Sequence, residues 1–495
     1  VKKFFVISAT ILAMSASAHA GCVDTFGIGT RAATLGGAFT ATADDPFATY
    51  YNPAGLTQID RPMLSAGVTM LNPELKIHKF EVENKDGGLN YGPSGMSDES
   101  DDLYVPHAGF AMPVGKNMSI GIAGYVPYGL DIEWSPNTTK NPAAYNFFHS
   151  YYTREVVTPS VAYKINEKFS LGVGVSIGKS KSGASRVINY PTTAAQAMTK
   201  GFMDQGMSAA AATAQTTAIM TMVGGTLPQT KPAALAAMPD ASYQSLLLVQ
   251  AANSVHDGIF EAEMEDDVNY SFNVGFMYKP INSVSLGLTY RSKTDADFDG
   301  DVRINNVKVA NLEMEYDHPD QIQAGIRYKP HDKVSMEADL VWTYWRHNEY
   351  QTEEFSPYLV LPNVTSKKYE RDWNNTNQVR LGIEWQALDF MTLRAGYFYD
   401  PSPIPDDTFD MMWPDADKKT YSIGAGFDFG ENWTLDAGMQ YAIAETSRII
   451  GGESNNLNET YNPLKKYGLD NGSRNVNAEC DGHLWGFSST VNYKF

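Results

Sequence analysis

The chain has 495 residues, 43% of them hydrophobic and 12% aromatic, with 41 glycines, and its 38 basic and 57 acidic side chains leave a formal charge of −19. Such an acidic balance repels phosphate backbones and excludes nucleic acid as a partner. Mean hydropathy is −0.31, and beyond the leader no apolar run approaches the ~18 residues of a spanning helix, which excludes a helical membrane protein.

Lys2-Lys3, an apolar run from Phe4 to Met14 and the small-residue end Ala18-His19-Ala20 make residues 1–20 a predicted secretory signal. Val1 fits an alternative start codon read as methionine. Lipidation at Cys22 is the rival reading, and His19 stands where that signal wants a branched apolar residue. In an oxidising compartment the two cysteines, Cys22 and Cys480, either bridge or stay as separate thiols.

Residues 21–61 are rich in Gly, Ala, Thr and Asp and show no sustained alternation. Period-2 alternation then sets in and predicts strands near 62–82, 103–115, 118–134, 152–166, 169–190, 257–281, 284–304, 311–331, 333–355, 369–387, 390–404, 418–430, 433–450 and 480–495. In the fifth, Leu171, Val173, Val175 and Ile177 oppose Gly172, Gly174, Ser176 and Gly178; in the last, Trp485, Phe487, Val491, Tyr493 and Phe495 share one face. Alternation alone would suit a soluble sandwich as well. The junctions decide, because every even-to-odd connection is short, such as Gly115 to Asn117 and Gly430 to Asn432, whereas the odd-to-even ones are mostly long. Short periplasmic turns and long outer loops have that asymmetry, so the expectation is an all-β fold, an antiparallel transmembrane β-barrel of fourteen strands spanning residues 62–495, with both ends at the periplasm.

Two segments stand outside the pattern. Residues 21–61, placed before a strand that starts at the periplasm, are expected to fold into the lumen as a plug. The insert of about 191–256, whose part from Thr192 to Met222 is rich in Ala, Met, Gln and Thr, is expected to be a helical extracellular loop, with Met198, Met203, Met207, Ile219 and Met222 as an adaptable apolar surface.

The stretch from Gly36 to Thr57, with Asn52-Pro53-Ala54 at its centre, resembles the N-terminal signature of the FadL/TodX (OmpP1) family of outer-membrane transport proteins. Similar stretches follow at Tyr128 to Trp134, Leu288 to Lys293 and Asn432 to Gly438. The resemblance implies a barrel closed by an N-terminal hatch, an apolar groove formed by outer loops, and a lumen pocket. It also implies a sideways exit through a gap at the kinked third strand. The cargo would be long-chain fatty acids or, alternatively, aromatic hydrocarbons, the setting the outer membrane of a Gram-negative bacterium with its lipid and lipopolysaccharide. No cofactor is implied.

The residues suit those roles. Pro127 has no amide hydrogen for a neighbouring strand and Gly129 tolerates a bulge, so Pro127, Tyr128 and Gly129 mark the expected opening. Asn52 before Pro53, and Asp44-Asp45-Pro46, favour tight turns in the hatch. A carboxylate cargo calls for a basic contact. The family's basic pair does not map securely, since Asn374 occupies the aligned position on strand ten, which leaves Arg186 and the inward-pointing Arg380 as candidates. A hatch reaching up the lumen would carry Cys22 toward the half where the last strand begins at Cys480, so a disulfide between them is one expectation and two free thiols the other.

Other signals are refused. Asp295 to Asp301 imitates an EF-hand loop, but its twelfth position is Asn306 and its residues continue a strand, so it reads as a lumen-facing acidic ladder and no metal site is expected. Glu261, Glu263, Glu265, Asp266 and Asp267 read as solvated. With no Gly-x-Ser-x-Gly elbow, zinc helix or Walker loop, catalysis is not expected. A hydrophilic specific porin and a surface adhesin or receptor barrel are the rival functions.

Overall fold

The computed structural model describes residues 26–83, 94–189, 199, 201–223, 257–356, 366–444, 447–461 and 475–495. The wall consists of β1 (Met63–Val82), β2 (Leu103–Val114, extended by Ser94–Ser97), β3 (Met118–Glu133), β4 (His149–Lys164), β5 (Phe169–Asn189), β6 (Asp257–Ile281) and β7 (Val284–Arg291 and Thr294–Ile304). It continues with β8 (Val307–His318 and Gln321–His331), β9 (Val334–Thr343 and Tyr350–Ser356), β10 (Ser366–Glu370 and Thr376–Leu388), β11 (Met391–Asp400), β12 (Lys418–Phe429), β13 (Trp433–Ala444 and Arg448–Gly451) and β14 (Val476–Lys494). Each pairs antiparallel with its neighbours, and β1 pairs with β14 from Met63↔Lys494 to Val82↔Val476. The sheet is therefore closed and has no edge to protect.

The lower wall is apolar outside and polar inside, the inverse of a soluble protein. Val173 and Ile177 are 45% and 46% exposed, and Leu381 44%, whereas the inward Ser271, Asp339 and Gln378 are 6%, 3% and 1% exposed. Exposed aromatics gather at the end carrying the short turns, among them Tyr163, Phe169, Tyr328, Trp385, Phe390, Phe429, Trp433 and Phe495. Aromatic rings with polar tips belong at such a membrane–water interface. Among the described residues no helix is long and apolar enough to cross a membrane.

Higher up, the polarity reverses. In the upper half of β7, Asp295, Asp297 and Asp299 are exposed on the outside while Ala296 and Phe298 are buried inside. The acidic ladder thus faces outward and not into the lumen, correcting the expectation drawn from its alternation. Parity is unchanged along the strand, but above the bilayer the outer face meets water and the inner face lines a chamber. That chamber is aromatic: Tyr128, Trp134, Phe147, Tyr152, Phe298, Tyr316, Trp345, Tyr369, Trp373 and Trp413 form one buried cluster.

Two further details depart from the sequence reading. The β7–β8 connection is a two-residue turn, Asn305-Asn306, with φ of 49° and 65°, so these strands rise as a tight hairpin and β8 begins at Val307. β7, β8 and β9 are also each interrupted, β8 at Pro319, which offers no amide hydrogen to a ladder. The expected helical insert lies largely outside the described residues; within them α3 spans Ala209–Val223.

The segment before β1 contains α1 (Thr30–Thr34), α2 (Ala48–Tyr51) and a 3-10 helix, Pro53–Gln58. It is buried almost throughout; Ala38, Phe39, Ala41, Tyr51, Asn52 and Leu56 have no exposed surface. Its apolar side chains form a small core with Met63, Ala111, Ala123, Tyr125, Val156, Ala162 and Met277 of the wall.

Candidate functional site: the lumen segment, a cavity and an interrupted ladder

Inward glycines form the seat of the N-terminal segment. Gly172 and Gly275 are cross-strand partners, as are Gly287 and Gly325, Gly382 and Gly396, and Gly424 and Gly438. A Cβ on Gly172 would meet the backbone of Pro53 and Ala54 at under 3.0 Å, and one on Gly275 would meet the Asn52 side chain equally closely. Asn52 ties the contact together: its Oδ1 accepts from Ala54 N at 3.1 Å, and its Nδ2 donates to Thr40 O at 2.9 Å and to Phe276 O of β6 at 3.0 Å.

Polar contacts complete the seat. Asp339 Oδ2 accepts from Phe39 N and Thr40 N, each at 3.0 Å, and from Thr40 Oγ1 at 2.6 Å; Glu337 Oε1 accepts from Ala41 N at 2.7 Å. Arg31 makes two hydrogen bonds to Glu384, at 2.9 and 3.0 Å, and one to Asp44 at 2.6 Å. Glu384 also accepts from Arg394, which pairs with Asp436 at 2.6 Å. Burial works against the Arg31 charge, but Asp44 and Glu384 outweigh it and hold the guanidinium well above its usual range. Burial likewise works against the Asp44 carboxylate, and Arg31 brings its pKa below the usual value. Asp45 differs: burial, reinforced by the Asp44 charge and opposed by Arg31, pushes its carboxyl up to about 7.

Above this segment lies a cavity with an empty volume of about 630 Å³ including its mouth. Phe26, Leu75, Trp134, Ile443, Cys480 and Leu484 supply much of its apolar lining, and Lys418 and Arg448 supply cations. Lys418 Nζ sits 2.6 Å from Asp415 and 3.6 Å from Asp400, and Arg448 lies 2.6 Å from Asp406. Trp134 is buried and its Nε1 has no hydrogen-bond partner among the described residues.

Phe26, Ala442 and Leu484 continue from this cavity into an apolar cluster with Leu71, Leu103, Val105 and Val126. The last three stand where the wall is interrupted. β2 and β3 pair only from Val114↔Met118 to Ala108↔Gly124. Above that, β2 stays with β1 up to Leu103, and β3 follows β4 through a bulge between Tyr125 and Tyr128. Tyr125, Val126, Pro127, Tyr128 and Gly129 are all buried, so alternation is lost as β3 bends inward. Contact resumes near the top, where Glu99 N donates to Glu133 O at 2.7 Å.

The sequence candidates are therefore dispersed. Asn52, Pro53 and Ala54 lie on the Gly172/Gly275 seat, and Pro127, Tyr128 and Gly129 at the bulge. Arg380 points inward, its guanidinium 4.8 Å from the Phe398 ring, and lies beside Gly37; Arg186 sits over Phe260 at 5.0 Å. Neither lines the cavity. Asn374 donates its backbone N–H to Pro403 O at 2.7 Å. Cys480 is buried and carries no disulfide among the described residues, and Cys22 lies outside them. Sequence reading passed over Lys418, Arg448 and the Arg31–Glu384–Arg394 chain. Arg31 gave a signal, as a lone basic residue in a segment destined for the lumen.

A family model described as outer membrane protein transport protein (OMPP1/FadL/TodX) matches residues 9–495. The long-chain fatty acid transport protein of Escherichia coli O6:H1 is 22% identical over 479 residues, covering 92% of this chain and 90% of that protein. Outer membrane protein P1 of Haemophilus influenzae is 21% identical over 480 residues, covering 92% and 91%. Among solved structures, a Pseudomonas aeruginosa FadL homologue matches with a TM-score of 0.73 at 18% identity, covering 96% of this chain and all of that one (100%). The Ralstonia pickettii toluene transporter TbuX matches at 0.61 and 13%, covering 95% and 99%. At these identities the structural likeness shows the fold alone.

Proposed function

Because this chain belongs to the OMPP1/FadL/TodX family of outer-membrane transport proteins, we propose that it takes up hydrophobic compounds passively, long-chain fatty acids foremost. It is a protein of the Gram-negative outer membrane, and its family transports hydrophobic molecules and is not enzymatic. The observation that carries the proposal is the continuity of apolar surface from the cavity through Phe26 to Leu103, Val105 and Val126, where the β2–β3 ladder is interrupted. Each methylene moved from water onto such surface gains about 0.8 kcal/mol, which a water-filled pore does not offer. A sideways exit lets the chain pass into the bilayer without crossing the polar lower lumen. The N-terminal segment serves as the hatch: held by hydrogen bonds and ion pairs, it shifts by exchanging partners while the wall stays closed.

Lys418 Nζ is the carboxylate contact in this reading, since it can trade Asp415 for a ligand, with Arg186 a second contact in the aromatic chamber and Arg380 serving the hatch. Neutral aromatic hydrocarbons are the second reading. What favours it is that Lys418 and Arg448 already hold carboxylate partners, so an uncharged ligand breaks no pair. Tryptophan fluorescence titrations with oleate and toluene separate the two, because Trp134 lines the cavity. Lys418→Gln should weaken oleate binding about tenfold, the scale of one hydrogen bond to a charged group, and leave toluene unaffected. Oleate binding that ignores the substitution, or a response to toluene alone, would discard the carboxylate reading.

A further inference from the structure

Above Gly124, β3 bends away from β2, and a contact from across the lumen meets it there. The upper half of β8 ends at His318, which is 1% exposed, and its ring lies flat on that of Tyr128, with centroids 4.5 Å apart at 11°. Tyr128 is the first β3 residue to rejoin the β4 ladder past the bulge. β4, β5, β6 and β7 stand between these strands in the wall, so the stack spans the interior.

His318 is itself fixed. Its Nε2 is hydrogen-bonded to the Tyr152 hydroxyl of β4, the Tyr316 ring stands edge-on to it at 5.5 Å and 89°, and Pro319 ends this half of β8. Its Nδ1 is buried without a hydrogen-bond partner among the described residues, so the imidazole presents one tethered edge and one stacked face. A strand edge that a neighbouring strand does not pair with is a ready template for it, so β3 is driven to zip onto β2. Pro127 blocks only one such bond. A flat aromatic contact on Tyr128 opposes the rest by holding the strand inward.

We propose that His318 is a positioning residue for sideways release, a strut across the lumen that keeps β3 bent at Tyr128 and the passage beside β2 open. This rests on the uptake route proposed above. The ring carries the effect, so the variants to compare are His318→Ala and Tyr128→Leu, which remove the stack, and His318→Phe and Tyr128→Phe, which keep it. Three readouts are needed: initial uptake of radiolabelled oleate into cells, oleate affinity by tryptophan fluorescence, and heat-modifiable gel mobility for assembly.

The stack-removing variants should each slow uptake about tenfold while affinity stays within about twofold, and the stack-keeping variants should retain the parental rate. Because both residues act through one contact, the double variant His318→Ala/Tyr128→Leu should lose no more than either single one. Unchanged uptake in both single variants, multiplying losses in the double, or failure of the phenylalanine variants to rescue would overturn the proposal. Should His318→Ala not assemble, the Tyr128 pair decides alone: loss with Leu and retention with Phe supports the strut, and any other pattern overturns it. If the parental protein takes up no oleate, the carboxylate cargo fails first, and the same comparison is read with labelled toluene. No uptake of either compound overturns the route and the strut with it.

Discussion

Adding a methyl group at each of Gly172 and Gly275 should unseat the N-terminal segment proposed as the hatch. In Gly172→Ala the new Cβ would press into the backbone of Pro53 and Ala54, and in Gly275→Ala into the Asn52 side chain, all at under 3.0 Å. No rotamer change relieves a clash with backbone, so the loop must back away from the wall. Overpacking of this kind costs about 1–3 kcal/mol at each site, and losing the Asn52 bond to Phe276 O adds about 1 kcal/mol. For the pair the total of about 3–7 kcal/mol raises the unseated population by roughly a hundredfold or more. Single-channel recording in planar bilayers reads this directly: the parental protein should pass almost no ions, and the double variant should flicker open. Gly178→Ala is the control, because the nearest atoms its Cβ would meet belong to the wall side chains Asn269, Arg154 and Val156. Silent recordings and an unchanged melting temperature for the double variant would refute the docking described here, and a large steady conductance in the parental protein would favour a porin.

Three further outcomes follow from the same contacts. Arg31→Ala leaves Glu384 and Asp44 without their shared cation, and should weaken hatch docking by about 3 kcal/mol, measured as faster protease cleavage within residues 26–61 while the barrel stays intact. Asp45 sets a pH dependence: its docked carboxyl titrates near 7 and its released form near the ordinary 3.8, so docking takes up a proton and weakens as pH rises through 7. Between pH 5 and 8 the loss should be about 3 kcal/mol, and Asp45→Asn should flatten the profile of protease sensitivity against pH. Replacing both Pro127 and Gly129 with Val should let β3 extend its ladder toward β2, cutting uptake at least tenfold with ligand affinity retained; unchanged uptake would remove the sideways exit.

Strand number and the segregation of short from long connections were legible in the sequence because both rest on local signals, period-2 alternation and turn residues. Pro127 and Gly129 marked a local break in β3 by the same kind of signal, and a bulge lies between Tyr125 and Tyr128. Alternation could not say which face meets what. The aspartates of β7 alternate just as the residues below them do, but their outer face meets water instead of lipid, and only the height of the strand distinguishes the cases. Partners of the N-terminal segment were out of reach in another way: Thr40 meets Asp339 across a sequence separation of 299, a distance that closure of the wall creates and no local pattern encodes. Lys418 was passed over because a lysine near a strand end reads as interfacial. Its place beside a cavity emerges only when β12, β13 and β14 stand side by side.

The tie between Thr30 and Thr490, two hydroxyls 2.7 Å apart across 460 positions, has a bearing on biogenesis. The segment before β1 is synthesised ahead of the wall, yet one of its anchoring hydroxyls belongs to the closing strand. Docking of that segment can therefore be completed only once the final strand is in place, and a variant that delays its arrival should leave the segment open to proteases for longer.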